Sequence, residues 1–132
     1  MEIKFRGKSK LNGKWHFGSY INLGDDWCQI ITTKVHDDGI PYNSIRVISE
    51  TVSQYVGLKD GNGIDIFVGD ILKLKWDEDY KLETIGNVFY KESLATYVID
   101  DRKRDDIHLF HKHVSYEIIG NIYDNPELLE AP

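Results

Sequence analysis

Hydrophobic and polar positions alternate along most of this chain with a period of two. Ile3 and Phe5 fall on one side and Lys4 and Arg6 on the other, the pattern of a half-buried strand over residues 2–7. Asn12-Gly13 follows and suits the positive φ angles of a tight hairpin. Beyond it, Trp15, Phe17, Ser19, Ile21 and Leu23 share one face of a second strand. The opening unit is therefore predicted as a β-hairpin whose basic residues stay on its wet face.

The same reading continues downstream. Residues 24–26 read as a turn, WCQIITT (27–33) as a strand, HDDGIPYN (36–43) as turn chemistry, and SIRVIS (44–49) as a short strand. A turn leads into a strand near 52–57. GLKDGNGIDIFVGDILKL (57–74) alternates turn clusters with short apolar pieces, and Leu72, Leu74 and Trp76 share a face. DEDYKLE (77–83) reads as a polar connection, TIGNVFY and ATYVID as a hairpin around KESL, and DDRKRDD (100–106) as a solvated loop. IHLFHKH (107–113) suits a strand or a short helix, and SYEIIGNIY (115–123) a strand. Asn125, as a cap, and Pro126, at a first helical position, predict a short C-terminal helical turn. Many short strands at close spacing predict a mainly β protein.

Composition changes this picture little. Hydrophobic residues make up 41% of the 132 and charged residues 29%, which fits a packed core rather than disorder. The single cysteine, Cys28, lies in an apolar run and reads as a small buried thiol. No apolar run approaches the ~20 residues of a membrane span, and the first residues lack a signal-peptide core. A cytoplasmic setting without membrane contact is the expectation.

Charge adds one alternative. The formal net charge of −6 argues against a whole-surface grip on nucleic acid. Yet Lys4, Arg6, Lys8, Lys10 and Lys14 cluster in the opening hairpin against Glu2 alone. They keep local phosphate binding open, beside aromatic residues able to stack bases.

Candidate chemistry is sparse. Asp105, His108, His111 and His113 are the nearest approach to a metal constellation, but no single strand or helix geometry unites the three histidines. Gly61, Gly63 and Gly69 match no phosphate-loop spacing. Asp65, Asp70, Asp77, Glu78 and Asp79 lack the order of a calcium loop, and Asp70 reads as an acceptor for backbone N–H groups in its turn. No GxSxG elbow occurs. Trp15, Trp27, Tyr55, Phe67, Trp76, Phe89 and Tyr97 read mostly as core. No catalytic residue and no cofactor are expected.

Four segments together resemble the YopX-like family of phage and prophage proteins: KFRGKSKLNGKWHFGSYI (4–21), ETVSQYVGLKDGNGIDIFVGDILKL (50–74), GNVFY (86–90) and EIIGNIYDNPELL (117–129). Residues 24–48 and 100–114 depart most. The resemblance implies a phage- or prophage-encoded cytoplasmic protein of a bacterium. It also implies an N-terminal β-region (1–48) and a small SH3-type β-barrel with a C-terminal helical turn (49–132). It supplies no catalytic residues.

The leading expectation is a non-enzymatic accessory protein that binds, as a homo-oligomer or to a phage or host protein. The alternatives are a nucleic-acid-binding small barrel using the basic hairpin, and a metal-dependent enzyme using His108 to His113.

Overall fold

The computed structural model describes residues 2–32, 44–77 and 79–130. The turn expected at 36–43, the last residue of the 27–33 strand and Glu78 lie outside them. The chain is mainly β, in two antiparallel sheets, with only three short 3-10 turns among the described residues. No helix among those residues is long and apolar enough to cross a membrane. The chain divides into two compact units, Met1–Tyr55 and Val56–Pro132.

Unit 1 contains β1 (Phe5–Lys8), β2 (Trp15–Asn22), β3 (Cys28–Thr32) and β4 (Ser44–Val47), side by side in the order β4-β3-β2-β1. Strand β5 (Ser53–Lys59) is shared by the two units, and its Ser53 and Gln54 pair with Arg6 and Phe5. Cys28, Ile30 and Val47 form the buried core, with Phe5, Tyr20, Ile45 and Val52 packed against them. The expected opening hairpin forms, with Phe5 opposite Gly18 and Lys8 opposite Trp15. Only Gly13 takes the positive φ; Asn12 instead accepts a hydrogen bond from the Lys14 amide at 3.0 Å.

The faces of β2 are the main surprise of this unit. Directly opposed residues in an antiparallel pair share a face. Gly18 faces Phe5 and Tyr20 faces Ile30, so the even-numbered side of β2 points to the core. A Cβ on Gly18 would stand 2.0 Å from the Ile31 carbonyl oxygen, so only glycine fits at this close approach. The face holding Phe17, Ser19 and Ile21 therefore points outward, and Phe17 is 49% exposed. Arg6 departs the other way. It was expected to be wet but is 7% exposed, because its Nε donates to Ser53 Oγ at 3.1 Å and its guanidinium lies over the Trp15 ring.

Unit 2 adds β6 (Asp65–Phe67), β7 (Asp70–Trp76), β8 (Asp79–Lys91), β9 (Thr96–Asp101), β10 (Asp106–Leu109) and β11 (Val114–Asn121). The last five form one sheet in the order β10-β9-β8-β7-β11, and their pairing does not close into a barrel. Val56, Ile66, Leu72, Leu74, Val88 and Ile99 make the core. Each such side chain contributes about 1.5–3 kcal/mol on burial.

Two aspartates shape the turns of unit 2. Asp70, 1% exposed, accepts the Phe67 amide at 2.7 Å, as its turn position predicted. Gly69 precedes it at φ 91, where a side chain would be strained. Asp60 does more. Its Oδ1 accepts the Asn62 and Ile64 amides, both at 2.9 Å, and its Oδ2 accepts the Ile118 amide of β11 at 3.1 Å. That last bond meets β11 where its register with β7 shifts, between Ile118 and Gly120.

Several sequence expectations are corrected here. Most of 77–83 is strand: Lys75 of β7 pairs with Glu83 of β8 and Trp76 with Asp79, with a register shift between the two pairs. Its polar character reflects cross-strand charge pairs, with Lys73 and Lys75 at 3.5 and 3.7 Å from Glu83. Of the loop expected at 100–106 only residues 102–105 form a turn: Asp100 and the fully buried Asp101 end β9, and Asp106 begins β10. At the tail, Pro126–Leu129 forms a 3-10 turn, but Asn125 does not cap it. Its Oδ1 accepts the Asn121 amide instead, at 3.2 Å.

Candidate binding surfaces

The outer face of unit 1's sheet gathers most of the basic residues singled out in the sequence. Strand alternation puts Lys4, Arg6 and Lys8 on one side of the chain, and the register sets Arg6 opposite Phe17 and Lys8 opposite Trp15. Each cation lies over an aromatic ring: Lys4 Nζ is 4.7 Å from the Tyr55 centroid, and Arg6 Cζ and Lys8 Nζ are 4.7 and 5.8 Å from that of Trp15. Lys10 and Lys14 sit apart, exposed on the hairpin loop. Lys10 is joined to β4 by its amide, which donates to the Arg46 carbonyl at 3.1 Å.

Sequence reasoning missed Arg46. Its guanidinium lies 4.0 Å over the Trp27 ring, and it belongs to the outer face because it opposes Gln29, which in turn neighbours Ile21. The alternation in SIRVIS, with Arg46 between Ile45 and Val47, was the available signal. The exposed part of the unit is rich in large apolar groups: Ile21 is 36% exposed, Leu23 63% and Trp27 44%. Trp27 was expected in the core, but it lies in the turn that follows two left-handed residues, Asp25 and Asp26.

The histidines do not converge. His111 and His113 are neighbours, with ring centroids 5.2 Å apart, and the His113 amide donates to His111 Nδ1 at 3.1 Å. His108 turns inward from β10 onto Trp76 and the Asp101 carboxylate, with Nε2 3.5 Å from Oδ2. No group of three His, Cys, Asp or Glu side chains among the described residues is arranged to hold a metal ion.

The Asp101 site is instead a structural knot. Burial alone would push its carboxyl up, but Thr84 Oγ1 at 2.5 Å, the Arg104 amide at 3.3 Å and the nearby His108 imidazole outweigh burial. The net effect holds Asp101 below the ordinary carboxylate range.

Unit 2 also carries two adjoining hollows that sequence reasoning did not find. One, of about 320 Å³, is lined by Val56, Leu58, Thr96, Tyr97, Leu109 and Phe110. The other, of about 340 Å³, shares Leu58 and Phe110 and adds Lys59, His111, Lys112, Val114 and Tyr116. The wall between His111 and Tyr116 is braced by the Tyr116 hydroxyl, which accepts the His111 amide at 2.7 Å. Burial raises the pKa of both Tyr97 and Tyr116, so both phenols are neutral at physiological pH.

Comparison with known proteins agrees with this architecture. No curated protein matches the chain. Among solved structures, it is similar over 98% of its length to 99% of protein EF1440 from Enterococcus faecalis, with 25% identity and a TM-score of 0.56. It is also similar over its full length to 99% of protein yopX from Bacillus subtilis, with 17% identity and a TM-score of 0.59, a likeness of fold. The model of the family described as YopX protein matches residues 4–130. With the match running from β1 through the C-terminal 3-10 turn, the chain belongs to the YopX family.

Proposed function

We propose that this YopX-family protein is a non-enzymatic binding protein whose copies associate through the outer face of unit 1's sheet. The carrying observation is the outward turn of the apolar side of β2. An alternating apolar strand face is normally the face that a sheet buries. Here the core takes the opposite side, and Ile21 and its neighbours Leu23 and Trp27 remain open. Contiguous exposed apolar surface of this kind marks an interaction site. A symmetric pairing of copies would place the same patch on both sides.

We further read unit 2 as an open relative of an SH3-type small barrel. Its support is a five-stranded antiparallel sheet that shares one core with Val56 of β5 and Ile66 of β6. Membership of the family supports a phage or prophage origin and action in the bacterial cytoplasm. Size-exclusion chromatography with light scattering tests the association directly. The expected mass is a multiple of 15.3 kDa; a single-chain mass at high concentration overturns the proposal.

One observation favours a second reading. The register brings the half-buried Lys4 and Lys8 onto one face with Trp15 and Phe17, beside the buried Arg6, and basic residues interleaved with aromatics suit single-stranded nucleic acid. That reading predicts binding to oligonucleotides that weakens steeply with salt. It also predicts a further loss on Lys10→Glu with Lys14→Glu, since both residues are exposed on the adjoining loop. Absence of binding at low salt excludes it.

A further inference from the structure

We propose that the double hollow of unit 2 is a docking site for an extended segment of a protein partner, one that alternates apolar side chains with carboxylates. This concerns a different surface from the one through which copies associate, and neither depends on the other.

The sheet of unit 2 presents a backbone edge beside the hollow. Strand β10 ends the sheet. Its last pair is Leu109 with Val98, so Thr96 and Tyr97 of β9 extend beyond it. Those two residues pair with Lys91 and Tyr90 of β8 on their other side, and both line the first hollow. A sheet edge beside a hollow is the arrangement that accepts an added strand: main-chain hydrogen bonds hold the segment and pockets read its alternate side chains. The two hollows meet at Leu58 and Phe110. Side chains two apart on an extended segment point the same way, about 6.6 Å from each other, which suits one apolar side chain in each hollow.

The charge of the hollows differs from that of the unit around them. Residues 56–132 carry nine Lys or Arg against sixteen Asp or Glu. The lining of the hollows reverses that balance. Its ionisable side chains are Lys59, Lys112, His111 and the two tyrosines, with no carboxylate among the lining residues. Lys59 already holds Asp65 at 2.6 Å, whereas Lys112 is exposed beside the second hollow. An apolar floor with a cationic rim selects apolar side chains flanked by acids and repels basic segments.

The floor is also preorganised. Phe110 packs on Tyr116 with ring centroids 5.1 Å apart, and the Tyr116 hydroxyl holds the Phe110–Val114 loop. The floor therefore needs little ordering on binding.

The test is selection of short random peptides displayed on phage, followed by fluorescence polarisation with the selected peptides. Selected sequences should alternate Leu, Ile, Val or Phe with Asp or Glu. Leu109→Asp and Lys112→Glu alter exposed side chains, so both variants should keep the wild-type circular dichroism spectrum. Each should weaken binding about tenfold or more. Peptides whose acids are changed to lysine should bind K112E better than the wild type. Failure to select any peptide, selection of basic peptides, insensitivity to both variants, or displacement of the peptide by oligonucleotide would each overturn the proposal.

Discussion

The two units use the same strand grammar to opposite ends. Unit 2 spends its apolar alternation on its own core, where Ile66, Leu72, Leu74, Val88 and Ile99 are at most 1% exposed. Unit 1 buries three residues centrally and sets the apolar side of β2 outward. Their charges differ as well. Residues 1–55 are nearly balanced, with seven basic against six acidic side chains, while residues 56–132 are acidic. A period of two shows which side chains travel together. Which of the two faces becomes core depends on the partner strand, and in unit 1 the pairing of Phe5 with Gly18 decides it.

The comparison can be attacked first through the cores. Leu72→Ala removes a fully buried side chain from unit 2 and should cost about 2–5 kcal/mol in urea unfolding. A loss below 1 kcal/mol, on the order of a surface change, would show that unit 2 is not the tightly packed partner. Amide exchange in β7 and β8 should also be slower than in β3 and β4.

The next effect concerns how unit 2 ties its turns. Asp60→Ala strips acceptors from three backbone amides, including Ile118 of β11. A loss of about 2–3 kcal/mol is expected. Asp60→Asn, which keeps one acceptor oxygen, should recover part of it.

A smaller effect comes from Asp101. Its folded pKa is depressed, so its contribution to stability is present above the unfolded value, about pH 4. It is lost as pH falls through the folded value. Unfolding midpoints should therefore drop below about pH 4, and that part of the drop should vanish in Asp101→Asn. An unchanged acid limb in the variant would remove Asp101 from the explanation.

Much of the fold was legible because it is local. The face shared by Leu72, Leu74 and Trp76, and the strands read in TIGNVFY, ATYVID and SYEIIGNIY, lie on β7, β8, β9 and β11, and the glycine-rich stretch from Gly57 to Leu74 does turn where its Asp and Gly residues stand. What escaped the sequence is non-local. Asp60 reaches an amide 58 residues away, and nothing near it in the chain signals that partner. Glu83 seemed a loop residue until the register set it opposite Lys75. Lys4, Arg6 and Lys8 were grouped correctly by alternation, but the burial of Arg6 depends on Ser53 and Trp15. The hollows were invisible because Leu58, Tyr97 and Phe110 belong to three separate stretches.

The smallest expected change in stability carries the largest consequence for assembly. Ile21→Lys alters an exposed position and should shift unfolding by no more than about 0.5 kcal/mol. Sedimentation velocity of the wild type, Ile21→Lys and Leu109→Asp distinguishes the two units most directly. Association through unit 1 predicts an oligomer for the wild type and for Leu109→Asp, and a monomer for Ile21→Lys. A wild-type monomer, or an oligomer that survives Ile21→Lys, would contradict it.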